Sequence, residues 1–118
     1  MPLFDKLNTQ EFGKGKNPTI AKMTDSLFLE IHVTDSFMSS NNLEYQLIEM
    51  AEDGSITLKA SGDMGIKGQL PRQVFIDGNN LVYFTDTKGN VMYVTASLDG
   101  DKIVFSSAKN LVSGDQNI

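Results

Sequence analysis

Glycine-bearing turns punctuate the second two-thirds of this chain: Asp53-Gly54, Asp77-Gly78 followed by Asn79-Asn80, Lys88-Gly89-Asn90, and Asp99-Gly100-Asp101. The last three recur about every 11 residues, and alternating apolar stretches fill the gaps. Gly, Asn and Asp reach the positive φ of a tight hairpin turn, so each cluster reads as a reversal of the chain. A gap of that length holds one strand and its turn. The spacing prescribes an antiparallel meander.

The apolar phase places the strands. In residues 26–35, Leu27, Leu29, Ile31 and Val33 share one face while Phe28, Glu30 and His32 share the other. That period of two is the mark of a half-covered strand. Residues 36–42 are polar and read as a loop. Leu43, Tyr45 and Leu47 alternate inward until the phase breaks at Leu47-Ile48, where a bulge is expected. Residues 55–61 return through the Asp53-Gly54 turn with Ile56, Leu58 and Ala60 inward. Strands are then expected over 73–76, 81–86, 91–97 and 102–107.

These later strands are apolar on both faces: Val82 and Phe84 against Leu81 and Tyr83, Met92 and Val94 against Val91 and Tyr93. Such strands need cover on both sides, from a second sheet, a helix or another subunit. The expected class is all-β, a mostly antiparallel meander forming a small β-barrel or two-sheet sandwich of about 6–8 strands. A short N-terminal helix or flexible arm precedes it. Pro2 suits the first position of a helix over residues 2–12 and Gly13 its stop, with a connector over 13–18. The expected division is an arm over residues 1–22 and one β domain over 23–118.

A chain of 118 residues suffices for one core without staples, and it contains no cysteine. Thiol nucleophiles, cysteine-bound zinc and disulfides are excluded, and a cytoplasmic location is expected. No basic-then-apolar leader opens the sequence, and no apolar run reaches bilayer-spanning length, so no membrane partner is expected. Charge is uneven. Residues 1–22 hold four lysines against two acids, 23–66 hold one lysine against eight acids, and 67–118 hold five of each sign. An acidic middle repels phosphate backbones, so nucleic acid is not an expected partner. Lys14, Lys16 and Lys22 suit docking on an acidic surface, including that of a second copy.

Chemistry-bearing patterns are sparse. His32 is the single histidine and cannot build a His-rich metal site. Glu30 shares its face and would orient it in a small hydrolase or isomerase, but no nucleophile-elbow pattern accompanies it. No catalytic set, metal site or cofactor is expected. The turn aspartates lack the EF-hand pattern and serve the turns themselves. Residues 62–72 read as a glycine-rich loop: Gly62, Gly65 and Gly68 would turn N–H groups toward an anion, with Lys67 and the sole arginine, Arg72, beside them. A small phosphorylated ligand would fit such a site. Phe28 and Phe37 fall on or beyond an otherwise polar face, and Phe4 and Phe12 lie in the arm, which either packs on a barrel end or grips a partner; all four are candidate interface residues.

The function expected from these residues is a non-enzymatic binding or assembly module. Its partner is itself, as a homo-oligomer, or another protein. The alternative is a small barrel binding an anionic ligand through residues 62–72.

Overall fold

The computed structural model describes residues 15–34 and 41–112. Nine strands occupy them: β1 (Lys16–Lys22), β2 (Leu27–Val33), β3 (Asn42–Met50), β4 (Ile56–Lys67), β5 (Gln69–Ile76), β6 (Asn79–Thr85), β7 (Val91–Asp99), β8 (Lys102–Phe105) and β9 (Lys109–Val112). No helix occurs among the described residues, and none there is long and apolar enough to cross a membrane. Sheet A has the order β1-β2-β3-β4, and sheet B the order β5-β6-β7-β8, with β9 pairing the other end of β7. Every pairing is antiparallel. The sheets face each other as an open sandwich rather than a closed barrel.

The alternation read from the sequence sets which faces meet. Leu29, Ile31, Val33 and Leu43 of sheet A pack against Val82, Phe84, Val94 and Ala96 of sheet B, all buried. Each fully buried aliphatic side chain of this size contributes about 1.5–3 kcal/mol. Tyr45 meets Phe105 edge-on across the gap, ring centroids 5.2 Å apart at 62°. The register shift between Leu47 and Ile48 falls where the phase breaks in the sequence. Turn chemistry also follows the residues. Asp53 accepts the Ser55 N–H, and Asp86 accepts the N–H groups of Lys88 and Asn90. Asp77, Gly78, Gly89 and Gly100 all have positive φ.

Two segments depart from the sequence reading. Residues 16–22, placed in an arm and connector, form edge strand β1 against β2. The proline that suggested a connector, Pro18, lies where the β1–β2 register shifts, beside Asn17 with φ 52°. An edge bulge is where a strand tolerates the missing N–H. Residues 62–72, read as a loop, are strand almost throughout. β4 runs to Lys67 and β5 starts at Gln69, with only Gly68 between. Ala60, Gly62, Met64 and Ile66 take the less exposed phase of β4, and Met64 and Ile66 pack on the core. The expected helix over residues 2–12, together with Phe4, Phe12 and Phe37, lies outside the described residues.

A buried amide chain ties the sheets. Gln73 Nε2 donates to the carbonyls of Leu29 at 2.8 Å and Thr19 at 3.2 Å, joining β5 to β2 and β1. Its Oε1 accepts from Asn80 Nδ2 at 3.1 Å. Asn80 is fully buried, and its Oδ1 has no hydrogen-bond partner. Because Gln73 donates twice, Asn80 must present its amide nitrogen to it, which fixes both amide orientations. Gln73→Leu should therefore lower stability by about 1–3 kcal/mol, by stranding the Asn80 amide as well as removing the tie. Adding Asn80→Leu should recover part of the loss. Urea unfolding of both variants checks this, and a Gln73→Leu midpoint equal to wild type would refute it.

Candidate functional site

Three places have enough chemistry to be weighed: the histidine on β2, the glycine segment at the β4–β5 junction, and the outer face of sheet B.

His32 is buried at 8% exposure rather than displayed on a solvated strand. Its Nδ1 lies 2.9 Å from Glu30 Oε1, the contact anticipated from their shared face. Its Nε2 lies 3.1 Å from Glu44 Oε1 on β3, directly across the strand pair. Glu44 was not legible as a partner, because it requires the β2–β3 register. Gly15 packs so close that a Cβ there would run into the imidazole ring. A carboxylate only accepts, so both contacts are hydrogen bonds when both ring nitrogens carry hydrogen, or when Glu30 supplies the proton to Nδ1. Burial pushes the Glu30 carboxyl above its ordinary value of 4.5 and Glu44 adds to the rise, while the hydrogen bond and charge of His32 oppose it. With both ring nitrogens engaged, the histidine has no free nitrogen to act as a base toward a substrate. The arrangement is a polar clamp between β2 and β3. Among the described residues no group of three or more His, Asp or Glu side chains is arranged to hold a metal.

In the glycine segment two of the three glycine amides are already engaged. The Gly65 N–H is taken by Asp63 Oδ1 at 2.6 Å, and the Gly68 N–H by the Asn41 carbonyl at 2.8 Å. An anion there would meet the Asp63 carboxylate first. Gly62 instead makes room for the Tyr45 ring, 3.2 Å from where a Cβ would sit. Gly68 passes against Phe84 at the crossover from sheet A to sheet B, where a Cβ would sit 2.5 Å from the Phe84 ring. Gly65 has φ 74° and open space around it. Lys67 and Arg72 are exposed, and the Arg72 guanidinium donates to the Pro71 carbonyl at 2.7 Å. The glycines serve packing and backbone shape.

Sheet B has a second face, away from the core. Register aligns Arg72 with Tyr83, Tyr83 with Tyr93, and Tyr93 with Lys109. These four residues form one row across β5, β6, β7 and β9, two tyrosines flanked by two cations. At a strand spacing of about 4.8 Å, the cations stand about 14 Å apart. The next row aligns Val74, Leu81 and Thr95. Val74 is 39% exposed, Ile76 53% and Val104 47%. Among the described residues of sheet B, aspartates lie only at the strand ends and in the turns, at Asp77, Asp86, Asp99 and Asp101.

Sheet A is different outside. Its outer phase carries Glu30, Glu44 and Asp63 with His32. Phe28, a candidate interface residue, is half-buried beside Ile48 and lines a groove of about 500 Å3 with Met50 and Ala51. Asp25, Glu49 and Glu52 border the same groove.

Comparison with known protein families, with curated proteins and with solved structures finds no match to this chain.

Two outcomes follow from the site geometry. A raised carboxyl binds its proton more tightly in the native state than in the unfolded chain. Its contribution to stability is full below 4.5 and is lost as pH rises through the raised value. Melting temperature followed upward from pH 4.5 should therefore fall more steeply in wild type than in Glu30→Gln. Parallel curves would show that Glu30 is not the buried acid. Separately, Gly68→Ala should cost about 1–3 kcal/mol by overpacking Phe84. Chemical denaturation checks this, and an unchanged midpoint would show that the crossover has room for a Cβ.

Proposed function

We propose that this protein is a non-enzymatic binding and assembly module that self-associates through the outer face of sheet B. One observation carries the reading. The four-strand row Arg72, Tyr83, Tyr93, Lys109 lies beside Val74, Ile76 and Val104, which together leave an apolar, tyrosine-bearing face turned away from the core. Such faces on small domains mark contact with another protein, and tyrosine and arginine are the residues enriched at the centres of contacts. The same strands explain their two-sided apolar pattern: the inner side faces sheet A, and the outer side awaits a partner. The closed His32 clamp supports a module without catalysis. A chain free of cysteine needs no oxidising compartment, and a cytoplasmic location fits it.

Light scattering and sedimentation velocity over a concentration series test the reading. The mass should rise above the 13.0 kDa of one chain as concentration increases. A species fixed at 13.0 kDa across the series would remove self-association.

A further inference from the structure

The charge pattern of the outer face of sheet B restricts how two copies can meet. Both ends of its row are cationic, Arg72 on β5 and Lys109 on β9, with Tyr83 and Tyr93 between. A two-fold axis running along the row would lay Arg72 on Arg72 and Lys109 on Lys109. A two-fold axis running along the strands would lay Arg72 on Lys109. With either axis through the middle of the row like charges face each other, which opposes a centred symmetric face-to-face dimer. An acidic surface elsewhere on the molecule is the complement that meets both cations at once.

Two acidic surfaces are available. On the outer face of sheet A, Glu30 and Glu44 are already held by the His32 ring at 2.9 and 3.1 Å. At the other, Glu49 and Glu52 have no ion-pair partner among the described residues. They border the groove whose apolar lining comes from Phe28 and Met50, and Met50 is 42% exposed. An apolar channel rimmed by carboxylates suits a long cationic side chain, whose stem lies on the apolar wall while its head meets the acids. The exposed methionine suits the tyrosine faces.

We infer that the chain assembles head to tail, with the Arg72–Tyr83–Tyr93–Lys109 row of one copy seated on the Glu49–Glu52 groove of the next. This rests on the self-association proposed above and assigns its geometry. The contact is heterologous, so every open assembly keeps one unused row at one end and one unused groove at the other, and growth continues until a ring closes or the protein is exhausted. The flat area of four strands of this length is about 440 Å2, against about 800 Å2 per partner in a standard stable interface. The contact is accordingly weak, dependent on concentration and sensitive to salt.

Two variants test the geometry. Arg72→Glu with Lys109→Glu removes the row and leaves the groove. Glu49→Lys with Glu52→Lys removes the groove and leaves the row. Arg72, Lys109 and Glu52 are exposed and Glu49 is half-buried, and circular dichroism and melting temperature confirm that each variant is folded. Each alone should stay monomeric at concentrations where wild type associates. Mixed in equal amounts, they should associate again, in alternation, since the intact row of one meets the intact groove of the other and the altered row meets the altered groove with both charge signs exchanged. Omitting Lys109→Glu and Glu49→Lys, so that Arg72→Glu alone meets Glu52→Lys alone, should give the same rescue. Wild-type association with no rescue in either mixture would overturn the head-to-tail geometry while leaving self-association standing. A wild type that stays monomeric throughout would overturn both.

Discussion

The Gln73 carboxamide is the tie on which the relation of the two sheets depends. β1 and β5 are the edges of their sheets and lie side by side without forming a ladder. Two edges of unpaired backbone would ordinarily have to be solvated or paired. Gln73 crosses the seam by donating to Thr19 and Leu29, and Asn80 holds its oxygen from the next strand. The tie is directional, where the apolar core beside it is not. Burial of Leu29, Ile31, Val82 and Val94 drives the faces together, but it is indifferent to sliding by a residue. The amide hydrogen bonds select one offset.

That offset propagates. β4 leads into β5 through Gly68 alone, and this residue passes within reach of Phe84 and hydrogen-bonds to Asn41. A single-residue crossover leaves no slack, so the seam held by Gln73 and the close approach at Gly68 must agree. A side chain at position 68 would push Phe84, one of the largest buried residues, out of register with the core. The free edge at β4 carries its own protection. Lys59, Asp63 and Lys67 are exposed along it, and its register shifts interrupt the regular ladder that would template another chain.

Much of this was legible from the residues. The inward phase of Leu29, Ile31 and Val33 and the break at Leu47-Ile48 both appear in the fold, because side-chain period and burial are local properties of a strand. The segment 62–72 was not legible for an equally local reason. Glycine contributes no hydrophobic signal, so the alternation of Ala60, Gly62, Met64 and Ile66 reads as a broken loop until the space each glycine leaves is seen to be filled. The Glu44 contact to His32 and the four-residue row on sheet B were illegible for a different reason. Both are set by cross-strand register, and two of the three pairings behind the row contain shifts, between Gln69 and Arg72 and between Val91 and Met92. A sequence does not announce which residues a bulge will bring level.

The strands β6 and β7 gather these points. Their inner residues are buried against sheet A and account for packing. Their outer residues repeat the same apolar alternation one position out of phase, with no packing inside the described residues to require it. Threonine or lysine at Leu81, Tyr83, Val91 and Tyr93 would serve a solvated face at lower risk of aggregation. The cations level with the tyrosines are what make an acidic counterpart the complement in the proposed contact. The molecule has such a counterpart at the opposite sheet, where the carboxylates not taken up by His32 border an apolar groove. In the proposed contact, a row with cationic ends on one sheet meets an acid-rimmed groove on the other, an attraction between copies that a net charge of −5 would not suggest.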